Sequence, residues 1–136
     1  MSRLSAFLHP STTQVEREVI VSDRFLDEGG KPVPFKIRAV TQAENEAITK
    51  QATRRVRENG QMVDRLDSVD FTRRMLVTAV VEPDFSNTEM CQAYGVLDPL
   101  LVPGRMLLAG ESSKLMREIM DLSGFNDANI EDTAKN

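Results

Sequence analysis

The sequence predicts an α+β fold, with an N-terminal antiparallel β-hairpin packed on a C-terminal bundle of about four helices and a flexible C-terminal tail. Three observations predict it. Two runs of alternating polarity flank a Gly-Gly turn early in the chain. Apolar residues at helical spacing fill the second half. Caps and breakers then divide that half into separate helices. With 136 residues the chain suits a single domain, read as residues 15–125 between an N-terminal arm (1–14) and a disordered tail (126–136).

In the arm, Leu4, Phe7 and Leu8 stand at i, i+3 and i+4, so one helical turn can bury them together. Pro10 and the polar run Ser11-Thr12-Thr13-Gln14 follow. Such an arm docks on its own domain or on a neighbour; a surface turn satisfied within the same chain is the alternative. From Val15 to Phe25, Val15, Val19, Val21 and Phe25 share one parity against Glu16, Glu18 and Ser22. Asp27-Glu28-Gly29-Gly30-Lys31-Pro32 carries turn chemistry. In the run that follows, Val33, Phe35, Ile37 and Ala39 oppose Lys36 and Arg38. No Gly-Lys-Ser/Thr follows the paired glycines, so they read as a turn and not as a phosphate loop.

Thr41-x-x-Glu44 is a capping box, and it predicts a helix from Gln42 to about Glu58 with a thin apolar side (Ala47, Ile48, Ala52, Val56), ended by Asn59-Gly60. Gln61–Ser68 reads as a loop. A second helix is expected from Asp67 or Asp70 to about Val81, burying Phe71, Met75, Leu76, Ala79 and Val80, with Pro83 as its stop. Asn87 or Thr88 caps a short helix from Glu89 to Tyr94, and Asp98-Pro99 starts another turn. Arg105–Ala109 is expected to be helical, carrying Met106, Leu107 and Leu108 and ended by Gly110. A last helix runs from Glu111 or Ser112 to Ser123 with Leu115, Met116, Ile119, Met120 and Leu122 on its apolar face. The tail is polar and acidic, with Ile130 as its one large apolar residue.

Composition narrows the function. Seventeen Lys and Arg against 21 Asp and Glu give a net charge of −4, without the basic footprint usual in nucleic-acid binders. One Cys and one His exclude a Cys/His zinc set and an intrachain disulfide. The lone thiol and the lack of a signal peptide or membrane-length apolar run predict a cytoplasmic protein. Cys91 falls on a predicted helix and His9 in the arm, so neither makes a nucleophile–base pair, and Cys91 reads as a buried inert thiol. Asp27-Glu28, Glu82 with Asp84, and Glu131-Asp132 lie in turns or the tail, where carboxylates are solvated, and none has calcium-loop spacing. Arg54-Arg55-x-Arg57 and Arg73-Arg74 read as a solvated or salt-bridged face; an acidic protein or a nucleic acid is their alternative use. Seven methionines suit adaptable surfaces, with Met75, Met116 and Met120 read as core and Met62, Met90 and Met106 as groove candidates. No cofactor is expected.

Several segments in order complete the reading. They are Phe7-Leu8, Ser22-Asp23-Arg24-Phe25, Gly30-Lys31-Pro32-Val33-Pro34-Phe35-Lys36-Ile37-Arg38, and Thr41-x-x-Glu44-x-x-x-Ile48. Leu107-Leu108-Ala109-Gly110-Glu111 with Leu115, and Leu122-Ser123-Gly124-Phe125, follow. Over residues 4–125 this pattern resembles the XkdN-like phage tail assembly chaperones; it is loosest at Val102-Pro103-Gly104, where prolines interrupt an expected helix. The resemblance implies a non-enzymatic chaperone of the host cytoplasm that coats the tape-measure protein during tail morphogenesis and helps recruit tail-tube subunits. It is then released and is absent from the mature virion.

Related genes often yield a longer product by ribosomal frameshifting, and Ala134-Lys135-Asn136 permits a slippery heptamer, A-AAA-AAC or A-AAA-AAU. Under this reading Leu4, Phe7 and Leu8 are expected to mediate self-association, and Met106, Leu107 and Leu108 to line a client groove. The rivals are a structural tail or connector component of the virion, and a nucleic-acid-binding regulator using Arg54, Arg55, Arg57, Arg73 and Arg74.

Overall fold

A computed structural model describes residues 3–11 and 15–125. The expected disordered tail lies outside the described residues, as do parts of the arm. Among the described residues the fold is mixed α and β, with antiparallel sheets and six α-helices.

Strands β1 (Glu16–Val19) and β2 (Phe35–Arg38) pair antiparallel, Glu16 opposite Arg38 and Val19 opposite Phe35. Their connection folds back at a bridge between Leu26 and Pro32. Asp27 Oδ1 there accepts from the Gly29 and Lys31 amides at 2.8 and 2.9 Å, and Gly30 takes φ +79°, a conformation open to glycine at little cost. Val19, Val21, Phe35 and Ile37 are buried as the alternation predicts, but Val15 and Val33 lie beyond the paired residues and are exposed.

The capping box at Thr41 starts helix α2 (Gln42–Ala52): the Glu44 amide donates to Thr41 Oγ1, and the Thr41 amide to Glu44 Oε1. Glu44 also accepts from Arg38 of β2, and the nearby guanidinium holds its carboxyl down at about 2. The helix does not reach Glu58. It ends at Ala52, and strands β3 (Thr53–Glu58) and β4 (Gln61–Leu66) form a separate two-stranded ribbon in place of the expected helix end and loop. Asn59 (φ 52°) and Gly60 (φ 79°) are both left-handed, the requirement of a two-residue hairpin turn. The Asn59-Gly60 pair therefore reverses a ribbon where the sequence reading had it cap a helix.

Asp67 caps helix α3 (Ser68–Ala79), accepting from the Asp70 amide, and the predicted stripe is present with Met75, Leu76 and Ala79 buried. The helix stops two residues early. Val80 turns extended (ψ 112°) and opens strand β5 (Val80–Glu82), which adds to β2 and makes it the centre of a three-stranded sheet, β1-β2-β5. Val80 and Val81 are β-branched and fit a strand better than a helix end. Asn87 caps helix α4 (Thr88–Ala93), and Asp98 caps a 3-10 turn (Pro99–Leu101) that runs into helix α5 (Val102–Met106).

The expected helix over Arg105–Ala109 is absent. Leu107 and Leu108 are extended, and Gly110 lies within the first turn of helix α6 (Ala109–Leu122) instead of ending a helix before it. The helical part is thus three long helices, α2, α3 and α6, with short turns between them, not four matched helices. α6 crosses β1 and β2, while α3 packs on α2, α6 and the Pro99–Met106 segment. One core joins sheet and helices around Ile37, Phe85, Met75, Leu115 and Ile119. Cys91 is buried in it with Sγ toward the Phe85 carbonyl, as its sequence position suggested.

Candidate functional site

Two segments 87 residues apart meet at a bidentate ion pair between Arg24 and Glu111. Arg24, in the β1–β2 connection, donates from Nε to Glu111 Oε2 at 2.9 Å and from Nη2 to Glu111 Oε1 at 2.6 Å. The same Nη2 donates to the Met106 carbonyl at 3.0 Å, and the Leu108 amide donates to Glu111 Oε1 at 2.8 Å. Glu111 is buried, which alone would raise its pKa, yet the Arg24 guanidinium and the Leu108 amide hold its carboxyl down at about 2. A two-pronged guanidinium–carboxylate contact of this kind fixes geometry as well as charge. Its effect here is to pin residues 106–108, where α5 gives way to α6.

That turn separates two apolar clefts. The first, about 510 Å³, lies between the β1–β2 connection and β5, with Phe25, Val33, Phe35, Pro83 and Met106 in its wall. Arg24 stacks over Phe25 (4.9 Å to the ring centroid), and Phe25 leans on Phe35 at 5.5 Å. The second, about 490 Å³, lies between α3, α5 and the start of α6, with Val69, Leu76, Pro103, Leu107 and Leu108 in its wall and Arg73 beside them. Val69 and Leu108 are more than half exposed. Both linings suit the burial of apolar side chains.

The structure therefore divides the predicted triplet. Met106, at the end of α5, is buried and faces the first cleft, while Leu107 and Leu108 line the second. Arg24 and Glu111 lie within two of the segments that carry the family resemblance, but nothing local in either announces that they touch. Val69 and Pro103 were also missed as lining residues; Val69 sits outside the buried stripe of α3, and that was the one available signal.

The arm is helical, α1 (Arg3–Leu8), but against the sequence reading the turn buries none of its residues. Leu4, Phe7 and Leu8 are 62%, 82% and 63% exposed. The arginine clusters are largely salt-bridged. Arg54 Nη2 and Arg74 Nε both donate to the buried Asp70 carboxylate, at 2.6 and 2.9 Å, and Arg55 lies 3.5 Å from Asp64. Arg74 and burial act oppositely on Asp70, and the arginines prevail, lowering its pKa. Of the other methionine candidates, Met62 is exposed on the ribbon and Met90 packs against the core. Among the described residues no three His, Cys, Asp or Glu side chains cluster as a metal site, and no helix is long and apolar enough to cross a membrane.

Comparison with known proteins places this geometry. The model of the phage XkdN-like tail assembly chaperone family matches residues 4–135. Protein YqbN of Bacillus subtilis (strain 168) is 34% identical, over 98% of this chain and 93% of that protein. The phage-like element PBSX protein XkdN of the same organism is 31% identical over the same shares. The crystal structure of YqbN superposes with a TM-score of 0.74 at 31% identity, covering 93% of this chain and 99% of that one. A match of this extent in sequence and in fold establishes that the chain belongs to the phage XkdN-like tail assembly chaperone family.

Proposed function

We propose that this protein binds the tape-measure protein during tail morphogenesis and helps recruit tail-tube subunits around it, without enzymatic activity, in the host cytoplasm, and leaves before the virion is complete. The observation that carries this reading is apolar surface left open in a member of a chaperone family. The α3–α5–α6 cleft offers Val69, Leu107 and Leu108 beside Pro103, a shape and chemistry suited to the apolar stripe of a helical client. The pinned 106–108 turn holds Leu107 and Leu108 toward that cleft, so client binding needs little rearrangement. Leu4, Phe7 and Leu8 on α1 serve contacts between copies, which multiply weak individual contacts along a long client.

The test is co-expression with the tape-measure protein of the same gene cluster. The wild-type chain keeps the client soluble and co-purifies with it. Val69→Asp with Leu108→Asp changes exposed side chains only, so the fold persists while client solubility falls. A client that stays insoluble with the wild-type chain, or that the double variant rescues equally well, overturns the assignment. Mass spectrometry of purified particles separates this role from a structural tail component, which stays in the virion.

A further inference from the structure

Arg73 and Arg74 are neighbours in α3 and are used differently. Arg74 donates to the buried Asp70 carboxylate at 2.9 Å and to Gln51 Oε1 at 3.2 Å. Arg73 leaves the helix about 100° away, as one residue's step dictates, and lines the α3–α5–α6 cleft instead. Asp70 is taken by Arg54 and Arg74, and among the described residues Arg73 has no carboxylate partner. It is nevertheless partly buried.

The cleft around it is otherwise uncharged. Val69, Arg73 and Leu76 stand at i, i+4 and i+7, so one face of α3 forms one wall. Pro103, Leu107 and Leu108 face it, and no carboxylate is in the lining. A helix laid in this cleft displaces the water that solvates the guanidinium. An apolar side chain over Arg73 strips that water and returns nothing, leaving a covered charge without a partner. A carboxylate in the same place forms a charge-assisted, two-pronged contact. The cleft therefore disfavours an unbroken apolar stripe and favours a stripe interrupted by one acid. Val69 and Arg73 are about 6 Å apart along α3, one helical turn. A client helix packed along α3 matches this spacing when its acid stands three or four residues from the side chain that meets Val69.

We propose, on the client-binding role given above for this cleft, that Arg73 selects the segment bound: an amphipathic helix with an Asp or Glu one turn from its apolar anchor. The chain as a whole carries −4 and does not attract an acidic segment, so the preference is local to Arg73.

Three synthetic helical peptides test this on the full chain. They share leucines at i, i+3 and i+7 and differ at i+4, which holds Glu, Gln or Lys. Each carries a fluorophore, and binding is read by fluorescence anisotropy. The Glu peptide is expected to bind the wild type about tenfold more tightly than the Gln peptide, with the Lys peptide weakest. That comparison changes charge on the peptide alone, so it depends on no variant folding. Arg73→Glu should reverse the order, and Arg73→Gln should bring the Glu and Gln peptides level. Val69→Asp with Leu108→Asp should weaken all three. Equal wild-type affinity for the Glu and Gln peptides overturns the inference, as does an order that Arg73→Glu leaves unchanged. Failure of every peptide to bind overturns it too, and so does binding that the Val69 and Leu108 changes leave intact. The chaperone role itself fails only in the co-expression test, which a client held soluble through other contacts passes whatever the peptides do.

Discussion

Among the described residues antiparallel β-structure occurs twice, and the two instances are held by different forces. In the β1-β2-β5 sheet every strand buries a face: Val19, Phe35, Ile37 and Val80 all join the core. The β3–β4 ribbon has the longer strands and buries almost nothing; its best apolar contact is the half-buried pair Val56 and Val63. It depends on a two-residue turn, cross-strand pairs such as Arg65 with Glu58, and an anchor at its base. The anchor is the Asp67 amide donating to the Ala52 carbonyl, together with Arg54 on Asp70. The sheet is thus specified by long-range burial and the ribbon by local chemistry, so damage to one should spread and damage to the other should stay put.

The largest expected effect comes from the sheet. Ile37 is fully buried in the central strand, and Ile37→Ala removes side-chain volume where sheet and helices meet. Urea denaturation should show a loss of about 2–5 kcal/mol, with all probes moving together. Loss confined to one segment would break the comparison.

The pair joining the β1–β2 connection to α6 comes next and adds a pH dependence. Glu111 is held at about 2 against an ordinary 4.5. A carboxyl with a depressed folded-state pKa contributes stability above its unfolded value, and that contribution is lost as pH falls from about 4.5 through 2. Glu111→Gln should therefore lower the melting temperature at neutral pH and flatten its fall over that acid window. The variant should also loosen the 106–108 turn, because glutamine keeps one acceptor oxygen for the Leu108 amide and Arg24 Nη2 but loses the charge and puts an NH2 donor where Arg24 Nε found its acceptor. An unchanged acid profile would assign the wild-type loss to Glu44, whose carboxyl Arg38 holds equally low.

The ribbon should respond locally. Gly60 sits at φ +79°, and a β-branched residue there is strained by about 1–3 kcal/mol. Gly60→Val is expected to speed hydrogen exchange of amides between Thr53 and Leu66 and to leave Ile37 and Leu115 protected. If the core loosens too, ribbon and core form one cooperative unit and the contrast fails.

The same contrast explains what the sequence made legible. The stripe of α3, the Thr41 and Asp67 caps and the alternation around Phe35 and Ile37 are strong because each residue pattern repeats what packing requires. The ribbon was misread because Thr53-Arg54-Arg55-Val56-Arg57-Glu58 contains good helix formers directly after a real helix, with one valine per strand to mark a face. Only Asn59-Gly60 reports the reversal, and that pair also ends helices. Strand β5 was hidden because Val80 continues the helical spacing of α3 while pairing with Ile37 from far along the chain. Arg24 and Glu111 lie in legible segments, but a contact across 87 residues leaves no local periodicity. The clefts were half legible: Leu107 and Leu108 could be named, whereas the opposite directions of Met106 and Leu107 follow from an extended link that the sequence reading took for helix.

The smallest effect on stability is expected at α1, and there it sharpens the comparison most. Phe7 and Leu8 are exposed, so Phe7→Asp with Leu8→Asp removes no buried contact and should change stability by less than about 0.5 kcal/mol. An effect on self-association is nevertheless expected, because apolar side chains held on one turn of helix gain from burial only against another surface. Light scattering over a concentration series should show the wild type increasing in mass and the variant remaining at lower mass. Equal masses at every concentration would remove α1 from the interface between copies. A large loss of stability would mean instead that the arm packs on its own domain, making it part of the fold held by burial.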